Sequence, residues 1–370
     1  MKYLSEYRNP GLVQQYLEEI QRITTKTWTL MEICGGQTHS LVKNGILEML
    51  PSQITMVHGP GCPVCVTSTD VIDEAIYLAQ QPNVILCSFG DMLRVPGSKK
   101  SLLEIKAEGG DVRLLYSPLE AVLLAKDHPN KEVVFFAVGF ETTAPANALS
   151  VVQAHKMGVQ NYSILASHVL VPPAMEAILE DEENRINAFL AAGHVCTIMG
   201  LEAYEPIARK FKIPIVVTGF EPVDLLQGIL MAILQLETGV HKVENQYARA
   251  VQRAGNLVAK QTINTVFEIS DRKWRGIGTI SQSGYEVKQQ YRQFNARLKF
   301  NLHLPQTEEI GDCISGDIMK GRKKPFQCPN FGSNCKPDTP IGAPMVSSEG
   351  ACAAYYHYAT TLKQVSKTKI

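Results

Sequence analysis

The chain has 370 residues, 45% hydrophobic and 19% charged, with a mean hydropathy of −0.05, a globular composition with room for two or three domains of roughly 100–200 residues each. Lys plus Arg and Asp plus Glu both total 36, so the net charge is zero, which excludes a generally basic nucleic-acid-coating surface and an acidic disordered tail. No apolar run approaches the ~20 residues of a membrane helix, and the amphipathic opening MKYLSEYRNPGLVQQYLEEI lacks a signal peptide's apolar core and cleavage site, so a cytoplasmic location is expected.

Residues 12–25 repeat apolar side chains at helical spacing and predict a surface helix. From Trp28 to Gly239 short apolar runs alternate with amphipathic stretches. The predicted strands are WTLMEI, ITMVHG, NVILCSF, DVRLLYS, EVVFFAVGF, YSILASHVL, HVCTIMG and PIVVTGF. The helices between them include TDVIDEAIYLAQQ, SPLEAVLLAKDH, ANALSVVQAHKMG and PPAMEAILEDEENRINAFLAAG. Apolar strands separated by helices predict an α/β fold with largely parallel sheets buried on both faces. The length of this region suits two similar Rossmann-like domains, 28–120 and 121–225, after a helical segment 1–27 that packs on the C-terminal domain. Residues 226–370 form that last domain, helical to about 267 and irregular past 275, where Pro, Gly, Lys and Cys become dense.

Three strands end alike, in ILCSFGD, FFAVGFE and IVVTGFE. Glycine lets the backbone turn sharply there, and the acidic residue falls on the edge where open α/β sheets bind ligands. Ordinary βα turns also carry such residues.

Nine cysteines in a reducing compartment favour metal or redox chemistry over structural disulfides. Cys87 and Cys196 lie alone in apolar text and read as small buried hydrophobes. Cys313, Cys328, Cys335 and Cys352 are spaced C-x14-C-x6-C-x16-C, without the short knuckles of structural zinc. Wide gaps with nearby prolines suit an iron–sulfur cluster wrapped by irregular loops, with zinc and no metal as alternatives. The basic run Lys320–Lys324 beside them offsets cluster charge or is simply solvated.

Cys62 and Cys65 form GPGCPVC, a C-x-x-C pair between a strand and a helix, able to form a disulfide or share a metal. A nearby helix N-terminus favours their thiolates. Cys34, in MEICGGQTHS, ends another strand; Gly35 and Gly36 leave space at its sulfur, and His39 follows one helical turn later. Three thiols and an imidazole at strand ends can hold one soft or borderline metal with open positions. Glu141, Thr142 and Thr143 (GFETT) should reach the cleft between domains. His168 is either a satisfied interior histidine or a proton donor in that cleft, and His58 is equally ambiguous. His155, His194 and His241 read as structural or exposed, and Glu349 as a neighbour of the Cys352 site.

Together, ICGGQTH, GPGCPVC, GFETT, ASHVLVPPAM and the four late cysteines make a chain that resembles, over essentially its whole length, the HypD family of [NiFe]-hydrogenase maturation factors. The resemblance implies a scaffold for iron assembly with redox activity, whose standing as an enzyme is a matter of definition. It maps Cys34, Cys62 and Cys65 onto the family's iron-site and redox cysteines, and Cys313, Cys328, Cys335 and Cys352 onto its [4Fe–4S] ligands. It further implies a small HypC-type chaperone as partner, a HypE-type cyanide donor, and an iron ion that acquires two cyanides and one carbon monoxide. Glu141 and His168 would manage protons on the donor, and an exchangeable scaffold suits a monomer. Many members carry His where this chain has Gln37, so that position has no ionisable role here. Two other readings remain: a thiol–disulfide oxidoreductase using Cys62 and Cys65 with a structural metal in the tail, and a non-catalytic iron–sulfur docking module.

Overall fold

The computed structural model describes residues 6–305 and 312–359. Two parallel sheets dominate. Strands β1 (Trp28–Glu32) and β2 (Ile54–His58) open one sheet, and β3 (Val84–Ser88), β4 (Val112–Leu114), β5 (Glu132–Gly139) and β6 (Tyr162–His168) make the other in the order β4-β3-β5-β6. The chain then returns to the first sheet with β7 (Ala188–Ala192), β8 (Ile215–Thr218) and β9 (Val243–Asn245), giving β2-β1-β7-β8-β9. All pairings within these sheets are parallel.

The α/β expectation with Rossmann-like sheets therefore holds, but the sheets do not divide at residue 120: β3 and β4 pair with β5 and β6, while β1 joins β7. Hydrogen bonding between β1 and β7 outweighs proximity in sequence. The helix Pro10–Ile23 is capped by Asn9, whose side chain accepts from Gly11 and Leu12 N–H. Its Ile20 is buried with Leu225, Leu226 and Ile229 of the helix Pro222–Thr238, on the first sheet.

HVCTIMG is a helix, Gly193–Met199, and the strand before it is AFLAA. Val, Thr and Ile favour strand locally, yet at Gly193 the chain passes so close to the end of β8 that an added Cβ would lie 2.4 Å from the Thr218 carbonyl oxygen. The region past residue 266 is also more regular than its composition predicts. Strands β10 (Phe267–Trp274) and β11 (Gly278–Val287) form an antiparallel hairpin. It ties the sheets together: Arg275 N–H donates to the Val66 carbonyl just past β2, and Leu170 N–H, just past β6, donates to the Ser283 carbonyl. No helix among the described residues is long and apolar enough to cross a membrane.

Candidate functional site

The C-terminal edges of the two sheets face a shared cavity of about 580 Å³. Its walls come from Phe89–Met92 after β3, Val138–Phe140, Thr142 and Thr143 at the end of β5, Pro63 and Val64 after β2, His194 after β7, and Ser347–Glu349. Crevices outside the carboxyl ends of parallel strands are where such sheets bind ligands.

Cys34 lies two residues past β1, at the N-cap position of the helix Gly35–Lys43. Gly59 N–H donates to the Glu32 carbonyl at 2.8 Å and Gly35 N–H to the Gly61 carbonyl at 2.9 Å, so the strand-end loops of β1 and β2 are stitched together. Gly61 permits this, because a Cβ there would lie 2.2 Å from the Cys34 nitrogen. Cys34 is 1% exposed. Burial pushes its thiol far above the ordinary range, with the nearby carboxylates of Glu349 and Glu32 adding to the effect. A helix N-terminus is worth at most about 2 kcal/mol and does not offset that burial. The thiol is therefore protonated until something positive arrives, and a metal cation inverts the balance.

The imidazole beside it is His194, with Nδ1 3.5 Å from the Cys34 sulfur. Burial lowers its pKa to about 4, and the ring stacks on Phe220, so at neutral pH it is an uncharged proton acceptor facing a thiol. His194 is the residue that sequence reasoning missed. Once AFLAA is a strand, AAGH repeats the strand–glycine–polar pattern seen at the other edges. His39 lies elsewhere: its Nδ1 is 3.1 Å from the Ser348 carbonyl oxygen and its ring meets Tyr358 edge-on.

Cys62 and Cys65 are joined as a disulfide across the one-turn helix Pro63–Val66, with Cα atoms 5.2 Å apart. In this state neither is a free thiolate or a metal ligand, so the expected three-thiol set exists only after reduction. Both are buried in one apolar cluster with Cys34, Phe140, Tyr204 and Trp274.

GFETT reaches the cavity through Thr142 and Thr143, while Glu141 is buried behind them at 1% exposure. Its Oε1 accepts from Val171 N–H at 3.0 Å and its Oε2 has no partner; burial raises its pKa to about 7. His168 is fully buried too, its Nε2 accepting from the Asn147 amide at 3.0 Å. Burial, reinforced by Arg272, lowers its pKa to about 3 and keeps it neutral. Neither Glu141 nor His168 lines the cavity. Gln37 is also buried, donating to the Thr218 hydroxyl at 2.6 Å and to the Ala191 carbonyl at 3.1 Å. Glu349 faces the cavity beside Gly35 instead of the late cysteines, with its pKa raised by burial.

Cys313, Cys328, Cys335 and Cys352 line one enclosed void of about 20 Å³, walled by Ile314, Ile318, Phe331, Pro344 and Met345. Among the described residues no three His, Cys, Asp or Glu side chains are disposed to hold a single metal ion. A cubane cluster takes one thiolate per iron, so convergence on a common void, not on a point, is the relevant fit. The donor set and the apolar walls match such a cluster. Burial and the other three sulfurs push the Cys352 thiol strongly upward, which a cationic iron core would reverse. Lys320, Arg322 and Lys323 are committed elsewhere, to Asp181, Glu183 and Asp317.

Comparison with known proteins adds the lineage. The family described as "HypD: Hydrogenase formation hypA family" matches residues 11–359. "Hydrogenase maturation factor HypD" of Escherichia coli (strain K12) is 45% identical over 366 residues, covering 97% of this chain and 98% of that protein. The proteins of the same name from Azotobacter vinelandii, 45% identical over 367 residues, and Cupriavidus necator, 41% over 368, each cover 97% of both chains. At such identity over nearly the full length, the chain belongs to the HypD family of hydrogenase maturation factors.

Proposed function

We propose that this chain is a cytoplasmic scaffold on which, with a small HypC-type chaperone, an iron ion acquires two cyanides and one carbon monoxide for [NiFe]-hydrogenase, the cyanide arriving from a HypE-type donor. One observation carries the reading: a buried strand-end thiol, Cys34, faces a neutral imidazole and shares an apolar cluster with a C-x-x-C disulfide beside a 580 Å³ cavity. Iron is cargo here. Cys34 holds it, and His194 Nδ1, on the cavity wall, relays the thiol proton outward as the thiolate forms, since burial keeps the ring from retaining it. Reduction of Cys62–Cys65 consumes two electrons and two protons and frees two more sulfurs. Glu141, with a pKa near neutrality, is a proton reservoir behind Thr142 and Thr143.

Cys313, Cys328, Cys335 and Cys352 would hold a [4Fe–4S] cluster, which supplies single electrons when bound. A thiol–disulfide oxidoreductase using Cys62 and Cys65 alone is less well supported, because both residues are buried, at 4% and 2% exposure, and exchange requires access.

The test is an infrared spectrum of anaerobic protein co-expressed with the chaperone. Metal-bound cyanide and carbonyl stretches fall where polypeptide is nearly silent. Bands present in the native protein and lost in Cys34→Ala, with visible cluster absorption intact, are the expected outcome. A Cys34→Ala protein that still matures hydrogenase overturns the assignment.

A further inference from the structure

Behind Cys34 lies a buried chain of polar groups that the proposed chemistry leaves unused. Glu32 is 0% exposed, His58 2% and Tyr355 5%. The parallel register of β1 and β2 sets Glu32 opposite His58. Glu32 Oε2 accepts from the main-chain N–H of Cys34 at 3.1 Å. Its Oε1 accepts from the Thr38 hydroxyl and lies 2.5 Å from His58 Nδ1. On the far side of the imidazole, Nε2 is 2.9 Å from the Tyr355 hydroxyl. Tyr355 belongs to the helix Ala351–Tyr358, three residues after Cys352. An unbroken hydrogen-bonded path thus runs from the helix bearing the last cysteine to the backbone of Cys34.

The chemistry of the groups gives the path a direction. Burial raises the Glu32 pKa, against the hydrogen bonds from His58, Thr38 and the Cys34 amide. An ionised Glu32 only accepts, so His58 Nδ1 carries a proton toward it, and Nε2 of a neutral ring accepts from the phenol. Without the phenolic hydroxyl, Nε2 loses the partner that holds the ring in place against Glu32. A ring that shifts loosens its bond to Glu32, and a buried carboxylate with a weakened donor pulls on those remaining, the Cys34 amide among them.

We propose that Glu32, His58 and Tyr355 are positioning residues, which carry the placement of the helix after Cys352 to the main-chain amide of Cys34 and so hold the thiol against His194. The inference rests on the scaffold reading for its meaning, while the coupling is measurable without iron cargo. It lets the state of the C-terminal cysteine site be felt at Cys34 through hydrogen bonds alone.

The test uses the full-length protein with the Cys62–Cys65 disulfide intact. Tyr355→Phe keeps the ring and removes only the hydroxyl. Labelling by iodoacetamide is followed at Cys34 by peptide mass spectrometry, with Cys87, buried in the other sheet, as internal control, and nitrogen NMR reads the His58 tautomer. The native protein should show the Nδ1–H form. Tyr355→Phe should keep the Nδ1–H form, shift the Nε2 resonance and speed Cys34 labelling roughly two- to tenfold, the worth of one hydrogen bond, with Cys87 unchanged. Unchanged Cys34 labelling overturns the proposal, as does a parallel rise at Cys87, which would mean general loosening. Should Tyr355→Phe not fold, His58→Gln, which retains an amide donor toward Glu32, is compared with His58→Leu. Slow labelling in the first and fast in the second supports the path; equal rates overturn it. Loss of coupling while the infrared bands remain Cys34-dependent sinks this inference alone, and coupling without bands sinks the scaffold reading alone.

Discussion

Glu141 shows how one carboxyl acquires a titration near neutrality. Burial raises its pKa from the ordinary 4.5 to about 7, against the opposing Val171 N–H hydrogen bond. The folded state therefore prefers the protonated acid. Its contribution to stability is fully present below about pH 4.5, and it is lost as the pH rises through about 7, a loss of about 3 kcal/mol at most. Glu141→Gln removes that titration. The urea midpoint of the native protein, measured against this variant, should fall between those two pH values and level off above. A flat difference would show that the fold holds Glu141 ionised throughout. His168 is the contrasting case. Burial keeps it neutral across the same range, so it cannot act there as a cationic acid.

Between elements, the decisive contact is the clasp of the β1 and β2 loops. Gly61 sits so close that an added Cβ would be 2.2 Å from Cys34 N and 2.4 Å from its Cα, both main-chain atoms that a rotamer change cannot move. Gly61→Ala should cost about 1–3 kcal/mol, the usual penalty of overpacking, and should release Cys34 from its approach to His194. Thermal unfolding gives the first quantity and Cys34 alkylation the second. A variant that melts and labels like the native protein would mean that the loops are not clasped. The same scale explains the misread helix Gly193–Met199. Its local preference is for strand, but β7 already fills the place between β1 and β8, and the chain must turn at Gly193.

At the scale of the whole molecule, the sheets interleave in sequence. β1 and β2 are completed only by strands more than a hundred residues later, and β3 needs β5. A fragment of residues 28–120 contains β1 to β4 but lacks β7 and β5, the second partners of β1 and β3. It should be unfolded by amide NMR, since two-strand remnants with exposed edges are not independently stable. A well-dispersed spectrum would show that the first α/β unit folds by itself. Interleaving also explains why one cavity gathers loops from β2, β3, β5 and β7. Each sheet contributes its carboxyl edge, and the β10–β11 hairpin bonds to segments at both.

The sequence by itself determined the fold class and where the reactive residue types fall along the chain. β3, β5 and β6 are buried along nearly their whole length, and strands covered on both faces must be written as apolar runs. Thiol chemistry resides in residue type, so GPGCPVC, Cys34 and the late cysteines were legible without coordinates. Only the tertiary structure decided which imidazole meets Cys34. His194 is 160 residues away, and its approach depends on β7 pairing with β1, a choice made by long-range hydrogen bonding. The β10 strand was hidden because Glu268, Asp271, Arg272 and Lys273 interrupt its pattern, and cross-strand pairing with β11 overrides that local reading. Burial, too, is a property of the assembled chain. It makes Glu141 a near-neutral acid, keeps His168 and His194 uncharged and leaves Cys34 protonated, because the cost of desolvation is set by everything packed around a group and not by its neighbours in sequence.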